Sequence, residues 1–182
     1  MILSKKDKPM KKILILVIAA TFSIGMMAVR VPKEIAPKIE WLSIQEAYKR
    51  SQKEPRKMVI DVYTEWCGWC KVMDQKTFTN TQVIDFVSRK YYAVKYNPEK
   101  DGDTMLKGTS FKKLLQGINS YPTTVFLDEK YAMIQPISGY LEPRIFHQIV
   151  TYFGDDNQKK EDFEKFKTGT YTSKYNPLVA KE

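Results

Sequence analysis

The chain is 182 residues long, 43% apolar and 13% aromatic, which is enough for one globular domain with extensions and excludes a disordered chain. Five lysines and Asp7 within residues 1–12 hold nearly half of the formal charge of +9. The remainder is spread thinly, so the clustered basic footprint of a nucleic-acid binder is not expected.

Behind that basic start, Ile13 to Val29 is an unbroken run of apolar or small residues. Its length falls between a signal-peptide core and a membrane span, so residues 1–29 are expected to be a signal peptide or an N-terminal membrane anchor. Either way the rest of the chain is placed in the periplasm or on the extracytoplasmic face, and membrane contact is expected only through residues 13–29. Residues 30–38, with Pro32 and Pro37, read as a linker into a domain over 39–154. Residues 155–182 read as a C-terminal extension, poorly ordered from Thr168 onward.

Within the domain, Ser43 and Glu46 have the spacing of a capping box, opening a helix that ends near Pro55. Met58 to Val62 is apolar and β-branched apart from Asp61, the pattern of a buried strand. Helix formers follow Cys70, Thr79-Asn80-Thr81 breaks the pattern, and Val83, Ile84, Phe86 and Val87 resume it at helical spacing. Tyr91 to Tyr96 is the next strand and Asn97 to Gly108 a polar loop. A short helix over Ser110–Leu115 is stopped by Gly117. Val125–Asp128 and Ala132–Ile134 then form an antiparallel hairpin, Glu142 to Phe153 an amphipathic helix, and Phe163 and Phe166 dock a short extra one.

The chemistry lies in Trp66-Cys67-Gly68-Trp69-Cys70-Lys71, which holds the only two cysteines of the chain. The motif sits where the apolar strand turns into a helix. A helix N-terminus has unpaired N–H groups and the positive end of the dipole, both of which favour a thiolate, so Cys67 is the better placed nucleophile and Cys70 the resolving thiol. Two bland readings stand beside this one. A structural disulfide across two residues gains little from loop closure, and a zinc site wants four ligands when only His147 remains. His147 itself is expected to be a surface or packing residue. Asp61 is either a surface residue of an edge strand or a buried carboxylate of raised pKa that takes the proton of Cys70.

The strand followed by Trp-Cys-Gly-Trp-Cys-Lys resembles the active-site turn of the thioredoxin superfamily, over roughly residues 41–153. The resemblance implies an α/β thioredoxin fold with a central mixed sheet flanked by helices. It places Asp61 at the buried aspartate beneath the active site and Lys95 beside it. It also makes Tyr121-Pro122-Thr123 a cis-proline loop, with Tyr121 facing the substrate beside Gly68; Trp66 and Trp69 are expected either to contact the substrate or to pack over and shield the site. Two departures stand out: Gly-Trp replaces the usual Gly-Pro between the cysteines, and Gln75 replaces a proline five residues after Cys70. Gly-Trp resembles thioredoxin-like proteins of bacterial cell envelopes. The resemblance implies reduction or isomerisation of protein disulfides through the Cys67/Cys70 pair, with no cofactor beyond that redox-active disulfide. The partners would be proteins bearing disulfides or dithiols, together with a redox partner protein. A dithiol oxidase and an anchored binding module without turnover are the alternatives.

Overall fold

The computed structural model describes residues 37–179, with side chains as far as Tyr175. The signal or anchor expected over residues 1–29, and nearly all of the linker, lie outside the described residues. Among those described, no helix is long and apolar enough to cross a membrane.

A five-stranded mixed sheet forms the centre, in the order β1-β3-β2-β6-β7. The strands are β1 (Trp41–Leu42), β2 (Lys57–Val62), β3 (Tyr91–Tyr96), β6 (Thr123–Leu127) and β7 (Met133–Ser138). β1 and β2 run parallel to β3, while β6 runs antiparallel to β2 and β7 antiparallel to β6. β2, β3 and β6 are the apolar inner strands; all six residues of β2 and all five of β6 are buried. The edges carry the opposite character. β1 has only two residues, and β7 is largely half-buried or exposed and includes Pro136, whose ring removes a ladder donor.

The helices begin where capping side chains are available. Ser43 Oγ accepts from Glu46 N ahead of α1 (Ile44–Ser51), and Asn80 Oδ1 accepts from Gln82 N and Val83 N ahead of α3 (Thr81–Lys90). Between them, α2 (Gly68–Lys76) is capped by a cysteine. Pro143 opens α5 (Pro143–Gly154), a position at which its missing N–H costs nothing. One sheet face packs Val59, Ala93 and Phe126 beneath Met73, Val83, Val87, Phe146 and Val150; the other packs Met58, Ile60, Val94 and Val125 against Ile44, Ala47, Leu106 and Phe111.

Two stretches differ from the expectation. The polar loop from Asn97 contains a small hairpin, β4 (Met105–Leu106) and β5 (Thr109–Ser110), which leads into α4 (Phe111–Leu114). Asp103 organises it by accepting from Ser110 Oγ and Lys112 N, and Leu106 drops into the core. The C-terminal extension does not loosen at Thr168. It runs as α6 (Phe163–Phe166), a π-helical turn over Lys167–Tyr171, and α7 (Thr172–Val179). The reason is aromatic: Phe166 is buried against Tyr152, Tyr171 is buried against Phe166, and Tyr171 Oη lies 2.8 Å from His147 Nδ1. His147 is thus a packing residue, its pKa pushed down to about 4 chiefly by burial. The extension thus packs against α5 through Tyr152 and His147.

A buried cation ties the extension to the sheet. Lys57, the first residue of β2, donates to Phe153 O at 2.9 Å and pairs with Asp156 Oδ1 at 2.9 Å. The Lys57 ammonium, aided by Lys159, holds the Asp156 pKa at about 2 against an ordinary 3.8. Because the folded value lies below the unfolded one, this pair contributes fully above pH 3.8 and its contribution is lost as pH falls through about 2. The urea midpoint of Asp156→Asn should therefore lie below that of the wild type at pH 7, and the gap should close as pH approaches 2. Phe166→Ala should lower stability by about 3–5 kcal/mol in the same assay.

Candidate active site

β2 is buried throughout, so the chain can change direction only where it emerges, and it does so directly at the cysteines. The turn over residues 63–66 closes with Cys67 N donating to Thr64 O at 3.2 Å. Cys67 then becomes the N-cap of α2, with its Sγ 3.1 Å from the N–H of Cys70. The two sulfurs are joined in a disulfide, S–S 2.06 Å. Both cysteines are buried, at 4% and 2% exposure, in contrast to the two tryptophans beside them at 67% and 62%. When the disulfide opens, the Cys67 sulfur lies where a backbone N–H already points at it and the helix dipole favours negative charge.

The tryptophans are anchored from outside the motif. Trp66 meets Tyr121 edge to face, with ring centres 5.7 Å apart, and its Nε1 donates to Glu99 Oε1 at 3.0 Å. Trp69 packs against Tyr140 at 5.4 Å. The Tyr121-Pro122 bond is cis, and Pro122 O accepts from Gly139 N at 2.8 Å, fastening this loop to the chain beyond β7. Trp66, Trp69, Tyr121 and Tyr140 thus make an aromatic rim, while Gly68 leaves open space where a side chain would stand.

The charge that the sequence singled out lies on β2, six residues before Cys67. Asp61 is on an inner strand, not an edge, and only 1% exposed. Lys95, its register neighbour on β3, brings Nζ to 2.7 Å from Asp61 Oδ2, but off the line of a hydrogen bond, so neither carboxylate oxygen has an aligned donor. Burial raises the Asp61 pKa above 3.8, and the nearby Lys95 only partly offsets it. Lys95 is shared with Asp74 of α2, which it also contacts. The rings of Trp41, Tyr63 and Phe78 surround the ammonium at 4.9–5.2 Å. Burial works against the Lys95 charge, yet the two carboxylates together hold its pKa above the ordinary value.

Sequence reasoning missed Asp74, Glu99 and Tyr140. Asp74 was within reach, since four residues after Cys70 is one helical turn along α2. The other two come from loops with no local signal. Among the described residues, no group of three or more His, Cys, Asp or Glu side chains is placed to hold a metal.

The fold and the site define a thioredoxin-fold protein with a Cys-x-x-Cys disulfide at the N-terminus of a helix. The chain belongs to the Thioredox_DsbH family, described as a protein of unknown function, DUF255, which matches residues 30–166. It is 25% identical over 95 residues to human spermatogenesis-associated protein 20, covering 52% of this chain and 12% of that one. An uncharacterized Caenorhabditis elegans protein matches at 25% over 95 residues, covering 52% and 13%. The chain thus spans only 12–13% of the length of these curated relatives. Among solved structures, a thioredoxin-fold protein from Helicobacter pylori is similar with TM-score 0.54 and 19% identity, over 69% of this chain and 87% of that one. A candidate disulphide-isomerase from Bacteroides thetaiotaomicron gives 0.52 and 25%, over 70% and 99%. A thioredoxin from Thermus thermophilus gives 0.51 and 16%, over 68% and 94%.

The raised pKa of Asp61 has a consequence for stability. A carboxyl that is harder to ionise in the folded state favours folding while protonated, and that contribution is lost as pH rises from 3.8 through the folded value. Asp61→Asn should therefore be more stable than the wild type at pH 7, and the advantage should vanish below about pH 4, as read from urea midpoints across pH.

Proposed function

We propose that this protein is a thiol-disulfide oxidoreductase of the cell envelope that reduces or isomerises protein disulfides through the Cys67/Cys70 pair. The observation that carries the reading is Cys67 serving as the N-cap of α2, its sulfur held against the Cys70 N–H beneath an exposed aromatic rim. The envelope location is supported by the basic start and apolar run of residues 1–29.

In the reduced protein the Cys67 thiolate attacks a client disulfide. A mixed disulfide forms and one client thiolate leaves. Asp61, its proton affinity raised by burial, takes the proton of Cys70. The Cys70 thiolate then attacks the Cys67 sulfur, expelling the second client thiolate and closing the 67–70 disulfide. Two electrons pass to the client, and a dithiol of a partner protein returns them. Tyr121 and Pro122 present backbone to the extended client chain, while Trp66 and Trp69 pack on its side chains. Lys95 holds the charge of Asp61 in check, and Gly68 keeps the approach to the sulfurs clear. Run in reverse, the same steps oxidise a client dithiol.

Cys70→Ser should trap the mixed disulfide with a model client bearing a disulfide, seen as a reductant-sensitive adduct by mass spectrometry, and Cys67→Ser should trap none. Client binding that survives replacement of both cysteines by serine would favour a binding module instead. Equilibration with glutathione buffers should give a potential near roughly −270 mV, whereas a value near roughly −120 mV would make the protein an oxidant and overturn the reductase reading.

A further inference from the structure

Asp61 does not sit alone in its row. Pairing across the sheet aligns Lys95 on β3, Asp61 on β2, Thr124 on β6 and Ile137 on β7. By strand alternation all four share the face that carries Val59, Ala93 and Phe126, the face on which α2 packs through Met73. Thr124 is therefore the residue directly opposite Asp61 on the side away from Lys95. It is fully buried, and its hydroxyl has no partner among the described residues. Its neighbour Thr123 shows the contrast: that hydroxyl donates to Ser120 O at 2.7 Å and serves the cis-proline turn.

Two adjacent buried groups thus lack what the other can supply. Asp61 has carboxylate oxygens with no aligned donor, and Thr124 has a donor with no acceptor. Side chains directly opposite in an antiparallel pair have their Cβ atoms about 5 Å apart, within the span of a direct hydrogen bond or one bridging water. A buried hydroxyl left unpaired is costly, and a hydroxyl bonded to a carboxylate makes a stronger, charge-assisted bond.

We propose that Thr124 is a positioning residue for Asp61, its hydroxyl donating to the carboxylate directly or through one water and so governing when Asp61 can accept a proton. The inference rests on the oxidoreductase reading for its importance, though not for its geometry. The other charged groups facing Asp61 are Lys95 from β3 and Asp74 from α2, while β7 contributes only Ile137 to the row. Both remain in place when Thr124 changes. The direction of the effect follows, because donation favours the ionised carboxylate and loss of the hydroxyl leaves Asp61 in a more apolar setting.

The test uses Thr124→Val, which keeps the branched shape suited to a strand, and Thr124→Ser, which keeps the hydroxyl. The Asp61 carboxyl is titrated by carbon-13 NMR in each reduced protein, its signal identified by its disappearance in Asp61→Asn. Thr124→Val should titrate at higher pH than the wild type, and Thr124→Ser close to it. At a pH below the wild-type midpoint, client reduction by Thr124→Val should be slower by roughly tenfold. An unmoved titration in Thr124→Val would show the hydroxyl to be an isolated buried group and would overturn the proposal, as would Thr124→Ser behaving like Thr124→Val. A moved titration with unmoved kinetics upholds the Thr124–Asp61 coupling and overturns instead the assignment of Asp61 to the exchange reaction.

Discussion

Everything in this structure depends on β2 being enclosed along its whole length. A strand with β3 on one side, β6 on the other and apolar layers above and below has no freedom to drift. The point where it emerges is correspondingly well defined. The chain leaves it at Val62, turns over four residues, and delivers Cys67 as the cap of α2. The thiol pair is thus placed by the rigid centre of the molecule and not by a loop, while the residues that would meet a partner, Trp66, Trp69 and the Tyr121 turn, stand at the rim.

The same enclosure makes charge expensive, and the two charged side chains inside β2 show two answers. At the beginning of the strand, Lys57 is met by Asp156, a backbone carbonyl and the more distant Glu129, so that its burial fastens the C-terminal extension to the sheet. Near its other end, Asp61 is met incompletely. Its cation is off-line and shared with Asp74, and its oxygens lack aligned donors. A satisfied buried pair serves structure. The incompletely met one is left with a raised pKa, and the fold tolerates the cost because the surrounding aromatic and aliphatic packing is extensive.

Much of this was legible in one dimension because the signals were local. Ser43 caps a helix through a bond to Glu46 three positions away, and β2, β3 and β6 are apolar because they are buried on both faces. The extension departs from the expectation for the opposite reason. Thr168 to Tyr175 is polar and carries a glycine, which locally resembles a frayed tail, yet Tyr171 and Tyr175 find the ring of His147 on a helix more than twenty residues earlier. The hairpin inside the 97–108 loop is likewise held by Asp103 reaching forward to Ser110 and Lys112, a contact with no periodic signature.

By itself the sequence determined the dithiol and its place at a strand-to-helix junction, most of the central strands and helices in their order, and an aspartate in an apolar strand. These are written in residue type and short-range spacing, which local backbone preference and hydrophobic burial can read. Only the tertiary structure decided what surrounds that aspartate. Lys95, Thr124 and Asp74 come from two neighbouring strands and the helix packed over them, and they meet at Asp61 because strand order and register bring them there. The proton affinity of a buried group is set by such neighbours and by the absence of water around it, neither of which is a property of the chain before it folds.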